Sequence, residues 1–476
     1  MSSFPSLTIT RDELVPQGDF AVAQASFLHP DDSVVGELRQ LCEAHAIGIV
    51  AHFYMDAELQ GVLVRVGAPH TFIADSLAMS DHAVRMAEAG KRAILVLGVD
   101  FMSENVRAVL DAAGFAHVPV YRLSDRVIGC SLAESAESPH YLEWLRACSA
   151  LPNVLHVVYI NTSLATKGRA HAVVPTITCT SSNVLQTLLQ ASAQIPDLTV
   201  AYGPDTYMGG NLAALLGSLQ TLPDERIREL HPDHDRASIA GLLERFRYYA
   251  QGACVVHHLF GDDVVRRVRE EHADALLTAH LEVPGEMFAL AADAQRHGRG
   301  VVGSTSNILG FILDAVAEAA KRPGPQRVPV LLGTESGMIT SIVTKVQDAL
   351  AKAGRDDIAI EIVFPVASEA VAQAPDSPLQ LIPGVAAGEG CSVAGGCATC
   401  PYMKMNSLDA LLDVMHAVAE GRETQLSAYV PRKSDERIDG RLATDVGTEP
   451  ILWMRHFQKT KRMPDALVER VTRGRG

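Results

Sequence analysis

From about residue 33 the chain alternates short, continuous apolar runs with stretches of helical spacing. "SVVGELRQLCEAHA" has helical spacing, and "IGIVAHF" is a short apolar run. "TFIADS" is another such run, and the helical "MSDHAVRMAEAG" that follows closes at Gly90. Then come "RAILVLGV", the helical "SENVRAVLDAAG" with Ser103 as the expected N-cap, and "HVPVYRL". The alternation resumes in "LHVVYIN", "LTVAYGP", "ACVVHH", "ALLTAHLE", "GVVGST", "VPVLLGTE" and "IAIEIVFP". Continuous apolar strands alternating with helices predict α/β layers whose parallel sheets are buried on both faces. The number of elements exceeds one compact sheet, so several α/β domains are expected. The first 32 residues show no strong period and are expected to wrap the surface.

The apolar runs end in small polar sets. Examples are His52 with Tyr54, Asp75 with Ser76, Tyr159 with Asn161, and His280 with Glu282. His257, Ser304 with Thr305, and Glu335 end other runs. Ligands of open parallel sheets bind beyond the carboxyl ends of the strands. Taken singly, each residue has a plain structural use. Asp75 caps the next helix, "TSSN" at 180–183 reads as an N-cap, and "GST" reads as a tight turn. Their recurrence at nearly every strand end predicts a site.

Composition narrows the function. The chain has 476 residues, 47% hydrophobic, with a formal net charge of −15. That length allows two or three domains with sizeable cores. The negative charge excludes general nucleic-acid binding, which needs a positive footprint. No apolar run reaches membrane-spanning length. "MSSFPSLTITRDEL" lacks the pattern of a secretory signal, so a cytoplasmic protein is expected. "LPDERIRELHPDHDRASIAGLLERF" reads as a charged insertion, and "ASEAVAQAPDSPLQLIPGVAAGEG" as a low-complexity linker.

Eight cysteines are present. Cys42 and Cys148 lie in helical patterns and Cys179 precedes a Ser pair, so these three are expected to be structural thiols. Cys130, Cys254 and Cys400 sit at element edges beside small residues. Cys397 and Cys400 form a Cys-x-x-Cys pair followed by Pro401. Such a pair serves as a redox disulfide, half a zinc site or part of an iron–sulfur site. No second Cys-x-x-Cys completes a zinc ribbon.

Twelve segments together carry a family resemblance. In order they are "AHFYMDAELQ", "ADSLAMS", "GVDFMSENV", "GCSLAES", "VYINTSLATKGRA", "TSSN", "GPDTYMG", "GACVVH", "AHLEVP", "VGSTSNIL", "LLGTESG" and "CATCPYMKMN". With them the chain resembles the quinolinate synthase family of de novo NAD biosynthesis. The resemblance implies three similar α/β/α domains around a pseudo-threefold axis, with the active site at the centre. The expected domains are 36–128, 129–252 and 253–398, with a C-terminal segment, 399–476, returning to the first.

The resemblance also implies a [4Fe–4S] cluster held by Cys130, Cys254 and Cys400, leaving one iron open as a Lewis acid. Cys391 and Cys397 are then spare, either paired with each other or inert. The reaction implied condenses iminoaspartate with dihydroxyacetone phosphate to quinolinate, phosphate and water. L-aspartate oxidase or aspartate dehydrogenase is the implied source of iminoaspartate. The family's substrate-binding positions fall on His52, Ser76, Tyr159, Asn161, Ser181, His280, Glu282 and Thr305. Tyr54, Glu282 and His280 are the catalytic candidates, with Asp75 as an orienting neighbour. Lys167 and Arg169 are candidate phosphate partners, against a plain reading as a solvated helix face. His258 stands where the family shows an acidic residue. The competing readings are a related iron–sulfur hydro-lyase acting on another small anion, and a non-catalytic zinc or thiol protein.

Overall fold

The computed structural model describes residues 4–26, 28–365 and 400–473. Cys391 and Cys397 lie outside the described residues. The chain forms two compact units. The first takes its described residues from Met1–Gly98, Tyr121–Ile128 and Val255–Val430; the second from Val99–Val120, Gly129–Cys254 and Pro431–Gly476.

In the first unit, strands β3 (Ile47–His52), β4 (Thr71–Ala74) and β5 (Ala93–Leu97) form a parallel sheet in the order β4-β3-β5. The two-residue β6 (Val120–Tyr121) extends its edge. Every residue of β3 and β5 is buried, as continuous apolar runs between helical layers require. A larger sheet runs β12-β11-β13-β14-β1-β2. Its strands β11 (Leu276–His280), β12 (Gly300–Gly303), β13 (Gln326–Leu331) and β14 (Ile358–Val363) are mutually parallel.

The N-terminal residues do not wrap the surface. β1 (Ser6–Ile9) and β2 (Leu14–Gln17) form a hairpin that adds antiparallel to β14. Leu7 and Ile9 are fully buried there. Four residues per strand are too few to display a period, so the alternation was not legible. Proline at position 16 sits in the edge strand, where a missing N–H breaks no central ladder.

The second unit holds a parallel sheet in the order β10-β9-β7-β8. Its strands are β7 (Val154–Tyr159), β8 (Thr176–Cys179), β9 (Thr199–Gly203) and β10 (Phe246–Tyr248). His156, in the middle of β7, is fully buried between the Tyr141 hydroxyl at 2.8 Å and Thr176 Oγ1 at 3.1 Å. Burial pushes this imidazole down to about 3, so it stays neutral. The expected insertion is ordered structure. Helices Asp224–Leu230 and Arg236–Glu244 lead into β10, and His234 Nε2 meets the Leu189 carbonyl at 2.8 Å.

Helices Leu164–Val173 and Ala443–Thr460 cross closely in this unit. A Cβ on Gly168 would overlap the Ala443 carbonyl, and one on Gly447 the Leu164 carbonyl. Glycine is therefore required at the crossing on both helices.

Two expected elements differ. "ACVVHH" is not a strand: residues 257–259 form a 3-10 turn, His257–Leu259. Ser103 is not an N-cap. The helix starts earlier, at Asp100, and the Ser103 hydroxyl donates to the Asp100 carbonyl at 2.8 Å.

Candidate active site

Two strand ends of the first unit repeat one local motif. After β3, the Tyr54 N–H donates to His52 Nδ1 at 3.2 Å. After β11, the Glu282 N–H donates to His280 Nδ1 at 3.3 Å. In each His-x-Tyr or His-x-Glu turn the backbone fixes the tautomer. Nδ1 accepts, so Nε2 carries the proton of a neutral ring. Burial pushes His52 down to about 4 and His280 to about 3, against the opposing pull of the Glu282 charge. Both rings are therefore neutral N–H donors at pH 7.

β11 ends at His280, and Glu282 reaches its place through the turn that follows. Its carboxylate lies 3.0 Å from His257 Nδ1 and 3.9 Å from His280 Nδ1. The rings of His257 and His280 stack with centroids 4.9 Å apart. Glu282, His257 and His280 are all nearly inaccessible to solvent. His258, in the position where an acid was expected, points to solvent as an exposed residue.

Tyr54 completes this group. Its hydroxyl lies 3.1 Å from Thr305 Oγ1 and 3.0 Å from Thr334 Oγ1. Thr334 Oγ1 is in turn 3.3 Å from His257 Nε2. Burial, then the nearby Glu335 and Glu282 carboxylates, hold the Tyr54 phenol well above its ordinary range. It keeps its proton at any working pH. Two glycines allow the approach. A Cβ on Gly333 would overlap the Thr278 carbonyl, and one on Gly337 would sit 2.8 Å from Tyr54 Cα.

Thr305 and Ser76 each occupy the first turn of a helix. Ser304 caps Thr305–Ala320 in a reciprocal box with Asn307. Asp75 caps Ser76–Glu88 by accepting from Leu77 at 3.1 Å and Ala78 at 2.9 Å. The plain reading of Asp75 as a helix cap is thus the one observed.

The remaining expected residues belong to the second unit. The register pairs Tyr159 with Cys179, so β7 and β8 end side by side, with Asn161 and Ser181 just beyond. Asn183 Oδ1 turns back to accept from Thr180 N at 2.8 Å rather than capping its helix. Lys167 is neither on a solvated face nor open to a phosphate. It is fully buried and donates to the carbonyls of Ile160, at 3.0 Å, and Thr162. Arg169 pairs with Glu436 at 2.6 Å. Glu104 accepts from Leu164 N at 2.7 Å in the same region.

Cysteine environments divide cleanly. Cys42, Cys148 and Cys179 are buried, free thiols. Burial pushes Cys42 up to about 11, and Cys148 and Cys179 upward as well. Cys130, Cys254 and Cys400 are half-buried. Cys254 precedes His257 by three residues in the chain.

Sequence reasoning noted His257 and Glu335 at apolar-run ends but gave them no role, and it missed Thr334. The signal was present in "LLGTESG", where a hydroxyl directly precedes the buried Glu335.

Residues 36–443 match the family model described as quinolinate synthetase A protein. A quinolinate synthase named as chloroplastic, from Nicotiana tabacum, is 56% identical over 98% of this chain and 67% of its own length. Similarly named proteins from Arabidopsis thaliana and Oryza sativa subsp. japonica are each 52% identical. The match covers 98% and 99% of this chain, and 67% and 70% of theirs. These names overturn the cytoplasmic expectation, which rested on the N-terminal residues; such residues do not report a compartment. Among the described residues, no helix is long and apolar enough to cross a membrane. On this match, over most of its length and to relatives at more than half identity, the chain belongs to the quinolinate synthase family, enzymes of NAD biosynthesis.

Proposed function

We propose that the chain condenses iminoaspartate with dihydroxyacetone phosphate to give quinolinate, phosphate and water. The observation that carries this reading is the cluster of buried His52, His257, His280 and Glu282 with half-buried Tyr54 in a chain of this family. Ring formation from an imine and a keto phosphate requires repeated proton transfers in a water-poor pocket. The cluster offers a protonated phenol, a carboxylate held by an imidazole N–H, and two neutral imidazole donors.

In this reading Tyr54 is a general acid. Its raised pKa makes it a donor that cannot be lost to solvent as phenolate. Glu282 takes protons from substrate carbon or nitrogen. His52 and His280 hold substrate oxygen through Nε2–H without transferring the proton, because burial keeps them neutral. Ser76, Thr305, Tyr159, Asn161 and Ser181 supply hydroxyl and amide partners for carboxylate and phosphate oxygens. Iminoaspartate would come from an L-aspartate oxidase or an aspartate dehydrogenase. The chloroplastic names of the relatives support a plastid location.

The family implies a metal cofactor, which we infer to be a [4Fe–4S] cluster on Cys130, Cys254 and Cys400. The donor set fits. Three of the described cysteines are buried with raised pKa values, which keeps them as thiols; these other three are half-exposed. An iron left without a protein ligand would supply a Lewis acid for a substrate oxygen or nitrogen. The test is anaerobic turnover of the purified protein with the two substrates, alongside iron and sulfide analysis. Quinolinate formation with about four irons per chain is expected. Iron-replete protein that makes no quinolinate would overturn the reading.

A further inference from the structure

We infer that Gln60 is a positioning residue: its side-chain amide ties the turn that presents Tyr54 to the loop that carries Thr334. The inference rests on the proposed function, in which Tyr54 gives a proton to substrate. It assigns a role to the last residue of "AHFYMDAELQ", for which the sequence alone supplies none.

Gln60 is fully buried in the helix Ala57–Val66. Its Nε2 donates to three carbonyls: Met55 at 2.7 Å, Phe53 at 2.8 Å and Gly337 at 2.5 Å. Three acceptors around one amide end fix its orientation, because only the NH2 group can face them. Two of these carbonyls belong to the residues on either side of Tyr54. The third lies 277 residues away, in the 3-10 turn Ser336–Met338 that follows Thr334 and Glu335. The backbone donors of the first turn are engaged elsewhere. The Tyr54 N–H goes to His52 Nδ1, the Phe53 N–H to the Ala74 carbonyl at 3.1 Å, and the Met55 N–H to the His52 carbonyl at 3.2 Å. The donors thus anchor the turn to its own sheet, and Gln60 joins its carbonyls to the second loop.

Stability alone does not account for this residue. Gln60 Oε1 is buried with no hydrogen-bond partner among the described residues, and an unmet buried acceptor is a cost to the fold. What the amide secures is alignment. Gly337, whose carbonyl Gln60 holds, packs so closely that a Cβ there would come 2.8 Å from Tyr54 Cα. The amide and this backbone contact together set the spacing of the two loops. At that spacing the Tyr54 hydroxyl lies 3.0 Å from Thr334 Oγ1 and 3.1 Å from Thr305 Oγ1. A general acid works only within hydrogen-bond reach of its target, and a misplacement of about 1 Å can cost about 10²-fold in rate. Gln60, enclosed by the three carbonyls, acts through Tyr54 and not on substrate.

The test uses the iron-replete enzyme under anaerobic conditions, with crystal structures of the same variants. Gln60→Met keeps the length of the side chain and removes its donors. It should lower kcat by about 10- to 10²-fold while KM and iron content stay unchanged. In its crystal structure the distance from Tyr54 Oη to Thr334 Oγ1 should open beyond about 3.5 Å. Gln60→Glu is held protonated by burial and keeps one O–H donor, so its loss should be smaller; it also serves as the test if Gln60→Met does not fold. Gln60→Met combined with Tyr54→Phe should be no slower than Tyr54→Phe alone, because no phenol hydroxyl is left to place. Wild-type kcat in either Gln60 variant, a Tyr54 hydroxyl that does not move, or additive losses in the double variant would each overturn the inference. Those results would leave the proposed function standing wherever the wild-type enzyme makes quinolinate. A wild-type enzyme that makes none would overturn the function instead, while the crystallographic distance still decides the role of Gln60.

Discussion

The side-chain nitrogen of Lys167 donates to the carbonyl of Ile160 at 3.0 Å from a fully buried position. A second bond reaches Thr162, so the lysine grips both residues that flank Asn161. Burial lowers its pKa to about 7, while Glu104 pulls the other way. Burial raises Glu104 in turn. Lys167 through the Ile160 and Thr162 carbonyls, and Glu104 through the Leu164 N–H, thus each brace the turn after β7 from within the core.

Removing the lysine strips the Ile160 and Thr162 carbonyls of a buried donor and leaves buried Glu104 without its stronger opposing charge. Lys167→Met is expected to destabilise the protein by about 3–5 kcal/mol. Adding Glu104→Gln to Lys167→Met should recover part of that loss. Urea unfolding of the two variants decides it; a double variant less stable than Lys167→Met would show that Glu104 and Lys167 do not depend on each other.

Cys130→Ala, Cys254→Ala and Cys400→Ala are each expected to lose iron and activity. Cys42→Ala and Cys397→Ala should keep their iron. Iron and sulfide content with the visible spectrum of anaerobic preparations measures this. Iron loss in Cys397→Ala with retention in Cys400→Ala would move the ligand within the Cys-x-x-Cys pair.

Glu282→Gln keeps the shape of the side chain and removes its capacity to take a proton. Turnover should fall by at least about 10²-fold, with the cluster spectrum and quinolinate binding intact. Near-normal turnover with full iron content would remove Glu282 from the chemistry and leave Tyr54 as the leading proton carrier.

His52, His156 and His280 are folded with pKa values of about 4, 3 and 3. In the unfolded chain each titrates near 6.5. Between those values the unfolded state binds more protons, so stability rises with pH. The contribution is complete above about pH 6.5 and is lost as pH falls toward the folded values. Each histidine adds a slope of up to about 1.4 kcal/mol per pH unit in that window. The unfolding midpoint should therefore fall from pH 7.5 to pH 5, and His156→Gln should flatten the fall. A midpoint independent of pH across that range would contradict the neutral burial of these rings.

Gly447→Ala places a methyl group against the Leu164 carbonyl at the helix crossing. Backbone cannot give way there as a side-chain tip would. A loss of about 1–3 kcal/mol or more is expected, read as a lower thermal midpoint. An unchanged midpoint would mean that the two helices separate without loss.

Much of the fold was legible because its signals are local. The runs that became β3, β5, β7 and β11 are continuous and apolar because parallel strands are covered on both faces. The polar sets at their ends marked His52, Tyr54, His280 and Glu282 because loops at strand ends carry the chemistry of such sheets. The resemblance rests on the same segments, and it gave the family.

Other features depended on partners far away in the chain. β1 reads as nothing by itself and becomes core only by pairing with β14, some 350 residues later. "ACVVHH" has a strand's composition but turns at His257, whose Nδ1 meets Glu282 25 residues on. Lys167 has the sequence context of an exposed helix face, yet the helix Ala443–Thr460 covers that helix and the lysine points inward. Thr334 becomes chemically meaningful only because Tyr54, on another sheet, comes within 3.0 Å of it. Apolar periodicity is set by which face of an element is buried, so it is written in neighbouring residues. The partner of a buried polar group is set by which elements pack together, and no local stretch of sequence encodes that choice.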